Sequence, residues 1–342
     1  MDKVLIVRLS AIGDLVMASP LIGAFKRTWP QARLTWLVEE TSKAVLEANP
    51  GLDEIIVWPR ARWRKLLRDR RYLTLLKEIR SFVAELRKRR FDLAVDAQGL
   101  LKSGIWVWLS GARERVGIGS REGSRFLMTE VISREGASDG LSSQYLLLAE
   151  ALGLETEPFE MEMALSDDAE KYARQFKRSI GSEYIVFAPF TTRPQKHWIQ
   201  KRWPKVAHHL FCELGLKTVI LGGWGDVEAA DRMVENASGI INLAGKTSLQ
   251  QAGAVIARSS LLIGVDTGLT HMGIALEVPT IALFGATRPY LDTTGTSGEV
   301  LYHKLDCSPC RRSPTCDGDF TCMKAISAEE VIRTARRLLT AP

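Results

Sequence analysis

Short uninterrupted apolar runs alternate along the chain with longer segments in which apolar residues recur at helical spacing. In the first half the runs predict strands over residues 4–9, 34–38, 54–58, 92–96 and 115–118. Helical periodicity between them predicts helices over 15–27, 72–89 and 142–152, and a short one over 41–48 that Asn49-Pro-Gly51 ends. The rhythm pauses between Glu155 and Ser182, where Ser166-Asp-Asp168 predicts a capped helix running to about residue 178. It then restarts, with strands predicted over 184–190, 217–221, 240–243, 261–265 and 280–284, and helices over 204–214, 227–236, 249–257 and 269–276. A last helix is predicted over 328–339.

Strand–helix alternation occurring twice predicts an α/β protein of two doubly wound domains. Continuous rather than alternating apolar runs fit parallel strands covered on both faces. The expected boundaries are a first domain over 1–165, a linker region over 166–183 and a second domain over 184–325. The terminal segment 326–342 is expected to pack back on the first domain. The cleft between two such domains is the expected ligand site.

Three motifs at predicted strand ends carry candidate chemistry. Arg8-Leu-Ser-Ala-Ile-Gly-Asp14 follows the run Val4-Leu-Ile-Val7 and places Asp14 at the carboxyl edge of a sheet, with Gly13 easing the turn. It is not Gly-x-Gly-x-x-Gly, so nothing there argues for a nicotinamide; an ordinary strand–helix turn with a solvated Asp fits equally. In Phe190-Thr-Thr-Arg-Pro-Gln-Lys-His-Trp198, Thr191, Thr192 and Lys196 offer two hydroxyls and an ammonium to a diphosphate, or form a polar loop with a helix cap. In Gly264-Val-Asp-Thr-Gly-Leu-Thr-His271, Asp266 and Thr267 either cap the next helix or frame an anion site at its amino end. His271 reads equally as a structural histidine or a ligand. If the domains face each other, these groups converge. Asp14 then suits a base for an acceptor hydroxyl and the phosphate binders suit a leaving diphosphate, as in transfer from a nucleotide-activated donor.

Composition narrows this picture. At 46% hydrophobic and 25% charged residues the balance is that of a globular protein. No apolar run reaches the roughly 18–20 residues of a membrane helix, and the amino terminus reads as a strand rather than a signal peptide, so the chain is expected to be cytoplasmic. The net charge of +6 is concentrated. Arg60, Arg62, Arg64, Lys65, Arg68, Arg70 and Arg71 share one segment with Trp58 and Trp63, and Arg87-Lys-Arg-Arg90 forms a second cluster. Such patches suit the phosphates of nucleic acid, anionic lipid or an acidic substrate, although Arg87–Arg90 reads first as a solvated helix end where cations favour the helix dipole. Of the five cysteines, Cys212 is expected to be a small buried residue. Cys307, Cys310, Cys316 and Cys322 could hold structural zinc or iron or remain free thiols. Asp317-Gly-Asp319 lies inside that cysteine segment, away from any strand end, and reads as loop polarity.

Ser10-Ala-Ile-Gly-Asp14, Asp96-Ala-Gln-Gly-Leu-Leu-Lys-Ser103, Thr191-Thr-Arg with Lys196-His-Trp198, and Val265-Asp-Thr-Gly-Leu-Thr-His271 together resemble the lipopolysaccharide heptosyltransferases of glycosyltransferase family 9, heptosyltransferase I above all. The resemblance spans nearly the whole chain and implies the GT-B fold. It implies inverting transfer of heptose from ADP-heptose to a Kdo sugar of Kdo-lipid A, with no cofactor required for catalysis. It implies Asp14 as general base. The implied donor-binding residues are Thr191, Thr192, Lys196, Glu228, Thr247, Ser248, Asp266, Thr267, Gly268 and His271. The implied acceptor-binding residues are Ser10, Gly13, Arg62, Trp63, Arg64, Lys65, Gln98, Lys102 and Arg121, with residues 62–65 as an acceptor loop. An acidic glycolipid acceptor implies peripheral attachment to the cytoplasmic face of the inner membrane. The cysteine segment departs from the heptosyltransferase I pattern and keeps open heptosyltransferase II or another family 9 sugar transferase. A reading of a different class is a non-catalytic basic protein that binds nucleotide or nucleic acid. No helix-turn-helix or finger spacing is present, so nucleic acid is not an expected partner.

Overall fold

A computed structural model describes residues 1–138, 140–235, 238–287, 289–290, 293, 297–310 and 313–340. The chain divides into two compact units, Met1–Ser138 with Ser142–Ala164, and essentially everything from Leu165 onward.

The first unit holds β1 (Lys3–Val7), β2 (Arg33–Glu39), β3 (Glu54–Trp58), β4 (Leu93–Asp96), β5 (Glu114–Ile118) and β6 (Glu130–Ile132), in the order β3-β2-β1-β4-β5-β6. The second holds β7 (Tyr184–Ala188), β8 (Lys217–Ile220), β9 (Ile240–Asn242), β10 (Leu261–Val265), β11 (Thr280–Phe284) and β12 (Gly298–Tyr302), in the order β12-β11-β10-β7-β8-β9. All pairings are parallel. In both units the first strand lies at the centre and the fourth pairs with its other side, so each sheet has a switch point where loops diverge at the carboxyl ends. The central strands β4, β7, β10 and β11 are wholly buried, the burial that their continuous apolar runs anticipate.

The structure differs from the sequence expectation in several elements. The helix expected over 15–27 is two helices, Ile12–Ala18 and Pro20–Thr28, because Pro20 has no N–H to continue the ladder and opens a new first turn. Gly13 therefore sits in an ordinary helical turn, not in the strand–helix turn, which runs through Ser10 and Ala11. Residues 62–65 are not a loop but lie within the helix Arg60–Arg68, whose Trp63 and Leu66 point inward. The helix Leu101–Leu109 and the edge strands β6 and β12 are further additions.

Each unit has its own core. In the first, Trp63 and Phe82 meet the Trp106 ring at centroid distances of 5.7 and 5.2 Å, tying the helices Arg60–Arg68, Tyr72–Lys88 and Leu101–Leu109 together. In the second, Trp203 packs on Phe187 at 4.9 Å and on Trp198 at 5.0 Å. The terminal helix Ala328–Thr340, expected to return to the first domain, joins this second core through Val331, Ile332 and Ala335. Trp198 Nε1 donates to the Ile326 carbonyl at 2.9 Å just ahead of it. Burial of its own apolar face explains the packing. Cys212 is exposed rather than buried, on the outer side of the helix Arg202–Leu214.

Gly264 in β10 is a packing requirement: a Cβ there would sit 2.2 Å from Thr270 Oγ1 and 3.0 Å from Ala188 Cβ. Thr270 Oγ1 is fixed by donating to the Val265 carbonyl at 2.6 Å, so it cannot yield. Gly264→Ala is expected to lower stability by about 1–3 kcal/mol, the usual cost of overpacking, as measured by urea unfolding. An unchanged midpoint would show that the turn after β10 can shift freely.

Candidate active site

At the carboxyl end of β1 the chain passes through Ser10 and Ala11 into the helix Ile12–Ala18. Asp14 is the third residue of that helix, and its Oδ2 accepts from the Ala11 N–H at 3.1 Å, closing the turn. The same oxygen pairs with Arg8 Nη2 at 2.6 Å. Arg8 is buried, whereas 38% of the Asp14 side chain is exposed. Among the described residues Asp14 Oδ1 takes part in no hydrogen bond, so one carboxylate oxygen is held by the protein and the other is open. Tyr145, wholly buried, donates to the Asp14 carbonyl at 3.3 Å; burial foremost pushes its phenol up to about 12.

The neighbouring strand end builds the floor. Asp96 Oδ1 accepts from the Gln98 and Gly99 N–H groups at 3.0 and 2.9 Å, and burial pushes its carboxyl above the ordinary range. Gly99 has φ of +71° and a Cβ there would meet the Ile118 carbonyl at 2.2 Å, so only glycine serves. Gln98, buried, accepts from the Leu9 N–H at 3.0 Å and is a scaffold residue in this state. Lys102 Nζ lies 3.3 Å from both Ser10 Oγ and Glu39 Oε1, and Glu39 also binds Arg60 at 3.1 Å. The structure thus joins Ser10, Lys102 and Arg60 through Glu39, a residue the motifs do not reveal. Arg121 is exposed.

Residues 62–65 divide by side of the helix. Trp63 is buried in the aromatic core, and Arg62 is held by Glu78, with Nη2 at 2.6 Å, so neither is a free acceptor ligand in this state. Arg64 and Lys65 are exposed.

In the second unit every donor-binding candidate lies in a loop or first helical turn beyond a strand's carboxyl end: Thr191, Thr192 and Lys196 after β7, Glu228 after β8, Thr247 and Ser248 after β9, and residues 266–271 after β10. Asp266 is the hub. Its Oδ2 is 2.5 Å from Lys196 Nζ and accepts from Thr287 Oγ1; its Oδ1 is 3.4 Å from His271 Nε2. Tyr290, buried beside His271, sits with its hydroxyl 3.4 Å from Nδ1. Burial opposes ionisation of Asp266, but the hydrogen bond and charge of His271 and then of Lys196 outweigh it, and the carboxyl titrates well below the ordinary range. Burial pushes the Tyr290 phenol far above its usual value.

Asp266 does not cap the next helix, because its carboxylate is engaged by Lys196, His271 and Thr287. Thr267 stands at the N-cap position of Gly268–Ala275 without a side-chain cap bond, so its hydroxyl is not used in capping. Ser248 does cap, accepting from the Gln251 N–H at 3.2 Å at the start of Leu249–Ala257, with Thr247 half-buried next to it. Glu228 is 89% exposed at its side chain and binds Arg232 at 2.6 Å, apart from the hub. Thr191 is half-buried and its carbonyl meets His197 Nε2 at 2.8 Å, whereas Thr192 is exposed. Thr287 and Tyr290, missed in the sequence, carry no motif; only their position after β11 marks them.

Cys322 is buried and Cys307, Cys310 and Cys316 are partly so. Burial and then the neighbouring thiols push Cys310 and Cys322 upward, which favours protonated sulfur. Among the described residues no group of three or more His, Cys, Asp or Glu is arranged to hold a metal ion, so of the two readings of the cysteine segment the zinc or iron site finds no support. Asp319 binds Lys324 and accepts from Thr321 at 2.6 Å, in keeping with loop polarity.

A carboxyl that titrates below its unfolded value of about 3.9 stabilises the fold fully above that pH and progressively less below it. Asp266→Asn removes that contribution and leaves Lys196 without its partner. We expect a loss of about 3 kcal/mol near neutral pH. The margin of the wild type over the variant should shrink as pH falls through about 4 to about 2.5, followed by urea unfolding. A margin independent of pH would show that charge is not what holds the hub.

Comparison with known proteins places this geometry. A model of glycosyltransferase family 9 (heptosyltransferase) matches residues 79–318. The chain is 29% identical over 318 residues to lipopolysaccharide heptosyltransferase 1 of Pseudomonas aeruginosa, covering 92% of this chain and 87% of that protein. In fold it is similar to a family 9 glycosyl transferase from Veillonella parvula, with a TM-score of 0.81 at 24% identity over 99% and 97% of the two chains. It is likewise similar to E. coli heptosyltransferase WaaC with ADP, with a TM-score of 0.76 at 24% identity over 98% and 99%. The two doubly wound units are those of the GT-B class. With most of its length matched by the family model and both sheets carrying their polar groups at the carboxyl ends, the chain belongs to glycosyltransferase family 9, the heptosyltransferases.

Proposed function

We propose that this glycosyltransferase moves heptose from ADP-heptose to a Kdo residue of the lipopolysaccharide inner core, with inversion at the anomeric carbon. The observation that carries the reading is Asp14: a carboxylate at the switch point of the first sheet, oriented by the buried Arg8, with one oxygen free. The relative similar over most of the chain bears the name lipopolysaccharide heptosyltransferase 1, and a solved chain of like fold is described with ADP.

In this mechanism Asp14 Oδ1 takes the proton of the acceptor hydroxyl as the oxygen attacks the anomeric carbon. The bond from that carbon to the diphosphate breaks, and ADP leaves with the electron pair. Arg8 keeps the carboxylate pointed at the acceptor. In the second unit Lys196, the hydroxyls of Thr191, Thr192 and Thr267, and the Gly268 N–H offer positive charge and donors to the diphosphate as negative charge builds there. Asp266 positions the Lys196 ammonium and leaves its remaining acceptor capacity for sugar hydroxyls. On the acceptor side Lys102, Arg64, Lys65 and Arg121 supply cations for the Kdo carboxylate and lipid phosphates. Among the described residues no helix is long and apolar enough to cross a membrane.

Asp14→Ala is expected to lower kcat by roughly 10²–10⁴-fold while leaving ADP-heptose binding unchanged, followed by ADP release with Kdo-lipid A and by calorimetry. Undiminished turnover would remove Asp14 as the base. Turnover only with a heptosylated core would make the acceptor a heptose, as for heptosyltransferase II. Lys196→Ala should reduce kcat/KM for the donor by at least roughly tenfold, with KM for the acceptor nearly constant. An equal effect on both substrates would argue against a donor-side role.

A further inference from the structure

We propose that the helical hairpin formed by Arg60–Arg68 and the first turns of Tyr72–Lys88 is a docking surface for an anionic phospholipid bilayer. The inference uses the reading of a lipid-borne acceptor only to explain what docking is for.

Large apolar side chains at the surface are concentrated here. Among the described residues, eight of the twelve exposed large hydrophobics lie between positions 67 and 126 of the first unit. At the hairpin itself Leu67 is 55% exposed, Tyr72 57%, Leu73 85% and Leu76 45%. They are not loosely held. Trp63 and Leu66 pin the inner side of the first helix in the aromatic core, and Trp63 Nε1 donates to Glu78 of the second at 3.2 Å. The turn between the helices is closed by the Arg70 and Arg71 N–H groups donating to the Leu67 and Leu66 carbonyls. A rigid hairpin therefore presents its apolar residues outward.

Cations share the hairpin with them. Between residues 60 and 77 there are eight Arg or Lys residues against one acid, Asp69. Arg60 and Arg62 are satisfied by Glu39 and Glu78, and Arg68 faces Asp69. Arg64, Lys65, Arg70, Arg71 and Lys77 are exposed and form no ion pair among the described residues. Exposed apolar residues interspersed along the hairpin with cations that form no ion pair match a bilayer with anionic headgroups, which attract the cations while the apolar tips enter the acyl boundary. A nucleic acid would leave Leu73 without a counterpart. A symmetric pair of hairpins would set these cations against their own copies. The hairpin also leaves the sheet at the carboxyl end of β3, and Arg60 shares Glu39 with Lys102, so the bilayer would meet the edge of the sheet that carries Asp14.

The test is sedimentation of the full-length protein with vesicles of phosphatidylglycerol and phosphatidylethanolamine, against vesicles of phosphatidylcholine. The wild type should partition onto the anionic vesicles and weakly onto the neutral ones. Arg70→Glu with Arg71→Glu should weaken anionic binding by roughly tenfold or more, and high salt should erase that difference. Leu67→Ser with Leu73→Ser should weaken it by a similar factor that survives high salt. All four side chains are exposed, so melting temperatures should not move. Wild-type binding by either variant, or equal binding to both vesicle types, would overturn the proposal. So would a wild-type dimer in sedimentation velocity that the leucine variant dissolves. Turnover of a lipid-free Kdo acceptor, measured in parallel, should be unaffected by both variants. Its absence in the wild type while vesicle binding persists would refute the acceptor reading and not the docking surface.

Discussion

Parallel pairing of buried strands is the constraint on which the rest of this molecule depends. A parallel strand cannot return to its neighbour by a tight turn, so each crossover passes over a face of the sheet and each strand releases its loop at the same edge. In both units the switch point beside the first strand then opens a gap between diverging loops. The candidate site groups, Asp14 after β1 and Lys196, Asp266 and His271 after β7 and β10, stand at these edges because each follows the carboxyl end of a parallel strand.

Electrostatics then decides what those groups are. Asp14 and Asp266 are both carboxylates at strand ends, yet their surroundings differ. Asp266 is closed in by a lysine, a histidine and a threonine hydroxyl, and its charge organises neighbours. Asp14 is paired with the buried Arg8 guanidinium and keeps part of its side chain exposed. The first arrangement suits a residue that orients others; the second suits one that exchanges a proton with an incoming molecule. Arg8 is central to that difference, since a buried cation fixes the carboxylate without covering it.

The basic segment shows how one helix serves two surroundings. Its inner side is aromatic and packs on Trp106 and Phe82, while its outer side carries arginines and leucines into solvent. The charge density that marks it in the sequence conceals the pair Trp63 and Leu66, whose burial makes it a helix rather than a loop.

Much of the architecture was legible from residues alone, for a physical reason. Strands buried on both faces must be apolar throughout, so β1, β7, β10 and β11 announce themselves, and the motifs that follow them name most of the polar groups at their ends. Edge strands do not: β6, with Glu130 and Val131 exposed, carries no continuous apolar run. Nor does sequence reveal which groups touch. Thr287 reaches Asp266 across 21 positions and Lys102 reaches Glu39 across 63, because parallel strands release their loops at one edge: Asp266 and Thr287 follow the paired β10 and β11, and Glu39 and Lys102 lie at the ends of β2 and β4 on either side of β1. The gathering of Asp266 with Tyr290's neighbour His271, the burial of Trp63, the exposure of Cys212 and the docking of the terminal helix on the second core were likewise decided by packing. Sequence determined the two sheets and the chemistry available at their edges, since burial dictates polarity locally. Tertiary structure determined which of those groups are paired, open or buried, since that depends on neighbours which chain order does not specify.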